Sequence, residues 1–261
     1  MALDRRSALR ALSSVLVVAG IVLLADAAAT LAWQEPLSAL YTRLRQDSLA
    51  GDLRALEREA PSPLQLGALS HLDAQQRIAF LARALRARAR PGSAVGRIRI
   101  PHLGTDFVLV AGTDTDALRD GPGIYSDTPF PGAPGTVGVA GHRTTYLAPF
   151  RHIDSLRRGD RIELEMPYAR LIYTVQDRRI VAPTDVAVVD PVGYDRLVLS
   201  ACHPLYSAAQ RIVVFAALVR EVPRGAATQG PGPEAVPLAP VPLGPPGGVP
   251  TVTPEPQRAS S

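Results

Sequence analysis

The 261-residue chain contains no lysine, no asparagine and only one cysteine, Cys202. All 28 basic residues are therefore arginines, and codon bias in a GC-rich genome explains this most simply. Without asparagine the chain has no N-x-[ST] glycosylation site, and without lysine it has no side-chain amine of its own to acylate. A single cysteine excludes an intrachain disulfide and any cysteine pair with metal-ligand spacing.

Aromatic residues are scarce, at 5% of the chain, whereas apolar residues reach 46%. The core must therefore consist mainly of Val, Leu, Ile and Ala side chains. The net charge is +4, but the arginines are spread over every segment and form no basic stripe interleaved with aromatics. This distribution argues against a nucleic-acid partner. An anionic membrane surface or cell wall suits the charge equally well.

The N-terminal segment carries the longest apolar run. Arg5, Arg6 and Arg10 precede an apolar stretch over 11–33. As a helix this stretch spans roughly 34 Å, enough to cross a bilayer core of about 30 Å. Arginines precede the stretch and none directly follows it, which predicts a cytoplasmic N-terminus and an exported remainder. A cleaved signal peptide is the alternative, because residues 25–27 have the A-x-A form, but the stretch is long for an h-region.

Composition and periodicity divide the chain into four segments. Residues 1–34 are predicted as the cytoplasmic N-terminus and transmembrane anchor, 35–92 as a helical stalk, 93–222 as a β-domain, and 223–261 as a Pro/Gly-rich disordered tail. Within the stalk, a helix is expected over 72–89 with Ser70 as N-cap. Seven strands are expected at 96–100, 107–110, 136–140, 161–166, 171–176, 196–201 and 211–219. Short strands at this spacing favour a closed barrel or a sandwich.

Cys202 directly follows the apolar strand 196–201, and Arg211 opens the next strand nine residues later. In a hairpin of symmetric register, positions 202 and 211 lie opposite each other. Neighbouring strands are about 4.8 Å apart and opposed residues point to one face, so a thiol and a guanidinium would lie side by side at the barrel rim. The residues alone leave two interpretations of Cys202 open, an inert core residue or a nucleophile. Arg211 could likewise be a solvated edge charge.

His142 is the candidate base among five histidines. It ends a small-residue strand, where glycines permit close backbone approach. The other four are less suitable: His71 belongs to the stalk, His102 follows a proline in a loop, His152 lies in a predicted helical turn, and the side chain of His203 should diverge from the adjacent thiol.

Taken together, these residues resemble the sortase family. The GHRT run at 141–144 is similar to the histidine motif of the family, and the LSACHP run at 199–204, with Arg211 after it, is similar to its Cys/Arg signature. The resemblance covers residues 95–219 and is nearest to the actinobacterial class E group. One departure is Ala201, because the family usually has Thr directly before the cysteine.

The resemblance implies a mainly β fold, a sortase-type eight-stranded β-barrel preceded by the transmembrane helix and the juxtamembrane stalk. It implies a cysteine transpeptidase that cleaves a C-terminal LPxTG/LAxTG-type sorting signal. Cys202 would be the nucleophile that forms a thioacyl-enzyme, His142 the general acid/base, and Arg211 the oxyanion stabiliser. Tyr206 is assigned to the sorting-signal pocket. The acidic cluster of calcium-binding members has no match here, so neither a metal nor another cofactor is predicted.

The implied partners are secreted proteins that carry the sorting signal, a peptidoglycan precursor amine of lipid II type, and the membrane, with no nucleic acid. The implied location is the cell membrane, single-pass, with the catalytic domain outside. One alternative is another exported Cys/His acyl-transfer enzyme, either an L,D-transpeptidase, which usually has a Ser-His-Gly-Cys-type run, or a cysteine peptidase of papain type, which places Cys before His. Another is a non-enzymatic wall-binding β-domain, in which Cys202 would be inert.

Overall fold

Helices occupy the first part of the chain and strands the rest. The computed structural model describes residues 5–33, 36–229 and 236–237, with side chains over 9–25 and 38–229. The α-helices in these ranges are α1 (Arg5–Trp33), α2 (Pro36–Arg58), α3 (Pro63–Leu69), α4 (Ala74–Arg88) and α5 (Thr115–Asp120). The strands are β1 (Ala94–Ile100), β2 (Thr105–Ala111), β3 (Gly123–Ile124), β4 (Thr136–Ala140), β5 (Arg161–Met166), β6 (Ala169–Val181), β7 (Arg196–His203), β8 (Gln210–Pro223) and β9 (Val236–Pro237).

The strands close into a barrel. Their order is β6-β5-β1-β2-β3-β4-β7-β8, and β6 also pairs with β8, which completes the ring. The pairs β2–β3 and β4–β7 are parallel and the other pairs in the ring are antiparallel. The predicted eight-stranded barrel is therefore confirmed. The sequence did not predict β3, whose Gly-Pro-Gly context is typical of a loop.

Strand alternation sorts the side chains of β7 and β8 between two faces. Leu199 and Ala201 of β7 lie in the main core, which consists largely of aliphatic side chains. Val198 of β7 instead joins Val213 and Phe215 of β8 in a separate cluster on the outer face of the barrel. Cys202 and Arg211, near the ends of these strands, follow the same alternation.

The segment predicted as a stalk is helical, and its helices lie against the barrel. Leu49 and Leu53 of α2 pack with barrel residues such as Val108. Ile78 and Leu85 of α4 belong to the main core. Each of these helices has an apolar face that gains stability by burial. Helix α4 therefore shares the main core with the barrel, and α2 packs against the barrel through a second cluster.

The start of α4 differs from the prediction. Its N-cap is Asp73, which forms a capping box with Gln76, whereas Ser70 is the C-cap of α3. The expected helix over 72–89 therefore begins at Ala74, because Asp73 caps the backbone N–H of Gln76.

Two predicted terminal segments are only partly described. Within the described part of the chain, no helix is both long and apolar enough to span a membrane. The transmembrane anchor stays a prediction. Of the predicted tail, Gly225–Thr228 forms a 3₁₀ turn and β9 pairs with Arg220 and Glu221 of β8. Residues 1–4, 34–35, 230–235 and 238–261 lie outside the described part of the chain.

Candidate active site

Neighbouring strands β7 and β8 place Cys202 and Arg211 directly opposite each other. The two residues are register partners in the antiparallel pair, as the symmetric hairpin predicts. Cys202 is the penultimate residue of β7, not a residue beyond its end, because the pairing continues to His203 and Gln210.

Cys202 and Arg211 face outward from the barrel. The residues next to them, Ala201 and Ile212, are buried in the main core, and alternation directs their neighbours to the other face. The Cys202 thiol is free and half-buried. Cys202 is therefore not enclosed in the core.

The Arg211 guanidinium has donors available at the site. Its Nη1 donates to the carbonyl oxygens of Ala208 and Gln210, each at 3.0 Å. Within the described residues, its Nε and Nη2 have no protein acceptor and it forms no salt bridge. These contacts restrain the side chain, while two nitrogens can still donate to an anion.

His142 follows β4, which runs parallel to β7. Ala140 pairs with Ser200 in register, and the Gly141 N–H donates to the Ser200 carbonyl oxygen at 3.1 Å. His142 lies two residues beyond Ala140 and Cys202 two residues beyond Ser200, so both residues lie at the same end of this strand pair. The three predicted residues thus come together at one end of the β4–β7–β8 surface.

Comparison with known proteins identifies the architecture that carries this site. Residues 98–219 match the sortase domain family. Over these residues the chain is similar to sortases. Sortase D of Bacillus subtilis (strain 168) is 30% identical over 128 residues, covering 48% of this chain and 63% of that protein. Sortase SrtE1 of Streptomyces coelicolor is 31% identical over 150 residues, covering 51% of this chain and 43% of that protein, and supports the similarity to class E.

The solved structures agree with the fold. The SrtF sortase from Corynebacterium diphtheriae superposes with a TM-score of 0.50 at 26% identity, covering 54% of this chain and 95% of that one. The chain spans less than two thirds of the two curated relatives, 63% and 43% of their lengths.

The imidazole of His142 is half-buried, and its Nε2 atom is buried without a hydrogen-bond partner among the described residues. Burial lowers the pKa of His142, and the positive charge of Arg119 on α5 lowers it further. The imidazole is therefore neutral at pH 7 and can accept a proton.

The loop after His142 has an unusual backbone. Tyr146, Leu147 and Ala148 have positive φ angles of 51°, 59° and 41°. Such non-glycine residues cost of order 1–3 kcal/mol each and cluster at functional sites. The turn places the Tyr146 ring 5.0 Å from the His142 ring, centroid to centroid, with planes tilted by 40°. The histidine ring is thus oriented by packing and by backbone.

Sequence reasoning missed Tyr125, whose side chain lies against β4 and β7 next to the candidate site. Its hydroxyl lies 2.7 Å from Ser200 Oγ, two residues before Cys202 on the same face. Its ring covers Gly138, where a Cβ would lie 2.4 Å from Tyr125 Cδ2. A glycine inside a strand signals such close approach, and Gly138 was the available clue.

The remaining predicted residues lie around this centre. Tyr206 is 63% exposed in the β7–β8 loop, and its hydroxyl accepts a hydrogen bond from Arg151 at 3.4 Å. His152 precedes the 3₁₀ turn Ile153–Ser155, close to the predicted helical turn. The His203 imidazole contacts Arg143, a second residue that sequence reasoning missed and that lies beneath the site.

Proposed function

We propose that this protein is a sortase-type cysteine transpeptidase. It would cleave a C-terminal sorting signal of LPxTG or LAxTG type and transfer the protein to an amine of a peptidoglycan precursor. The observation that carries the proposal is the register pairing of an accessible Cys202 with Arg211, one strand from His142. A thiol, a neutral base and a cation on one surface are the groups that acyl transfer through a thioester requires.

In the first step, neutral His142 takes the thiol proton and Cys202 Sγ attacks the threonine carbonyl carbon. The carbonyl oxygen becomes an oxyanion, to which the Arg211 nitrogens can donate. When the tetrahedral species collapses, the carbon–nitrogen bond breaks and the His142 imidazolium gives its proton to the leaving amine. The product is a thioacyl-enzyme on Cys202.

In the second step, the acceptor amine attacks the thioester carbon and passes a proton to His142. The carbon–sulfur bond breaks, the new amide leaves, and the Cys202 thiolate recovers its proton from the imidazolium. A thiolate is a good nucleophile in the first step and a good leaving group in the second. The absence of lysine means that a side-chain amine acceptor comes from another molecule.

We propose that Tyr206 contacts the bound sorting signal. Its exposed ring lies in the loop that joins the Cys202 strand to the Arg211 strand, four residues after the cysteine. We further propose that α1 anchors the chain as a single-pass membrane protein with the barrel outside. The arginines before the apolar stretch support that orientation.

The test uses the full-length chain, because α2 and α4 contribute core residues that a truncation near residue 93 would remove. Quenched LPxTG and LAxTG peptides are incubated with it, with and without triglycine. We expect cleavage, a triglycine-dependent product, and a covalent adduct at Cys202 by mass spectrometry. Cys202→Ala and His142→Ala should lose cleavage, and Arg211→Lys should lose about 10²–10³-fold in kcat.

The matched control is His71→Ala, an exposed histidine in the turn before α4, which should keep full activity. A wild-type chain that is inert on every sorting peptide, or a Cys202→Ala variant that cleaves as fast as the parent, would contradict the proposal.

A further inference from the structure

Arg143, the residue after His142, is a buried cation. The residue is only 3% exposed, and buried charges persist in proteins only when they are paired. Its Nε donates to the Arg151 carbonyl oxygen at 3.2 Å, and its Nη2 pairs with the Asp154 carboxylate at 2.8 Å. Its Nη1 donates to the Cys202 carbonyl oxygen at 3.4 Å and to His203 Nδ1 at 3.2 Å.

These contacts connect two separate parts of the chain. Arg151 and Asp154 lie in the segment that follows His142, whereas Cys202 and His203 end β7. The guanidinium is a rigid planar fork, so its acceptors are fixed relative to one another. Because Arg143 can only donate, His203 Nδ1 is the acceptor in this contact.

Asp154 holds the outer end of this connection. Burial alone would raise the pKa of Asp154, but the charge and the hydrogen bond of Arg143 lower it below its ordinary value. The carboxylate therefore stays ionised opposite the guanidinium at neutral pH. Arg143 is held by a full charge on one side and by β7 acceptors on the other.

Arg143 lies on the inner side of the strands, beneath the reactive residues. Gly141 faces the core residue Phe150, so alternation turns His142 outward and Arg143 inward. The nitrogens Nε, Nη1 and Nη2 of Arg143 all have protein acceptors. Arg143 is thus unsuited to bind an oxyanion in the groove, in contrast to Arg211.

We propose that Arg143 is a positioning residue that holds His142, which follows β4, beside Cys202 at the end of β7. The assignment rests on the proposed transpeptidase function. His142 Nε2 has no hydrogen-bond partner among the described residues, so no polar contact at Nε2 fixes the ring. The placement of the ring follows from the backbone at 141–143, and Arg143 binds that backbone to the carbonyl of the nucleophile's own residue.

The test compares Arg143→Met with Arg77→Met in the full-length chain. Arg77 is a matched control, because it is 2% exposed and donates to the Leu72 and Ala227 carbonyls, away from β4 and β7. Both variants should lower the thermal midpoint. Only Arg143→Met should lower kcat, by about 100-fold for a displacement near 1 Å, with KM little changed. Arg143→Lys should recover part of the loss.

A second readout is independent of any sorting peptide. The rate of Cys202 alkylation by iodoacetamide, followed against pH, should change its profile in Arg143→Met and keep the parental profile in Arg77→Met. If the parent cleaves no peptide, the transpeptidase proposal fails while the alkylation profile still decides the role of Arg143.

Parental kcat and a parental alkylation profile in folded Arg143→Met would overturn the assignment. An equal loss of kcat in Arg77→Met would overturn it as well, because the effect would then be one of stability. If Arg143→Met does not fold, Asp154→Asn replaces it, since the neutral amide keeps an acceptor and removes the charge. That variant should lower kcat several-fold and change the alkylation profile, and parental values for both would contradict the proposal.

Discussion

Replacing Gly141 with alanine tests how tightly the strand before His142 is packed. An added Cβ would lie 2.6, 2.8 and 3.1 Å from three carbons of the Phe150 ring. Phe150 is fully buried, so its ring has no open space to enter. The φ angle of Gly141 lies outside the left-handed region, so the cost arises from this contact. Overpacking of this kind costs about 1–3 kcal/mol, and we expect the free energy of unfolding to fall by that amount.

The same substitution should slow catalysis, because relief of the contact moves the backbone that carries His142. The Gly141 N–H donates to the Ser200 carbonyl oxygen, and the His142 carbonyl oxygen accepts from the Phe150 N–H at 3.0 Å. Hydrogen bonds therefore hold the backbone at both Gly141 and His142. A shift near 1 Å costs about 100-fold in rate. Urea unfolding and peptide cleavage by the full-length chain measure the two effects. The control is Gly51→Ala in α2, where nothing lies within 4 Å of the added Cβ and helix propensity favours alanine by up to about 1 kcal/mol.

The clash with Phe150 predicts a specific rescue. Phe150→Leu removes Cε2 and replaces the rigid ring by two δ methyl groups that can rotate away from the new Cβ, so the double variant should regain part of the kcat lost in Gly141→Ala. Unchanged stability and kcat in Gly141→Ala would refute the reasoning. A loss of kcat that Phe150→Leu leaves untouched would also refute it, because the displacement would then have another cause.

Two further predictions concern buried carboxyl groups. Burial, with a contribution from Asp195, raises the pKa of Glu221 from 4.5 to about 7. As pH rises, this carboxyl therefore loses its proton in the unfolded state first, and the free energy of unfolding should fall between pH 4.5 and 7. Glu221→Gln should abolish this fall and raise the free energy of unfolding by about 3 kcal/mol at pH 8, measured by urea unfolding. The Asp120 carboxylate accepts hydrogen bonds from Arg45 and Tyr41, so Asp120→Ala should lower the free energy of unfolding by about 1–3 kcal/mol. The control Asp47→Ala, at an exposed position, should leave it nearly unchanged in the same assay.

The barrel could largely be predicted because most of its strands carry local signals. In β7 and β8 the apolar runs are long, and the turn between them fixes which residues oppose each other, so the pairing of Cys202 with Arg211 follows from spacing. Strand β3 has two residues, too few for any periodicity. It exists because Gly123 pairs with both Val110 and Ala140, and neither partner is visible from its local sequence.

The docking of the helices and the role of Arg143 depend on non-local contacts in the same way. The apolar spacing of α2 was visible, but the barrel face that receives Leu49 and Leu53 was not. Arg143 looks like any polar residue in a loop motif. Its acceptors lie 8 to 60 residues away along the chain, so only the folded structure brings them together.

The two reactive positions share a construction that strand alternation explains. His142 is followed by Arg143 and Cys202 by His203, and in each pair the first residue faces outward and the second inward. The inward residues bond to each other, with Arg143 Nη1 3.2 Å from His203 Nδ1. In the proposed mechanism the outward pair reacts with substrate, while the inward pair fixes the distance between the strands. Substitution of the outward residues should remove chemistry with little loss of stability, because those groups have few protein partners, whereas substitution of Arg143 should reduce both.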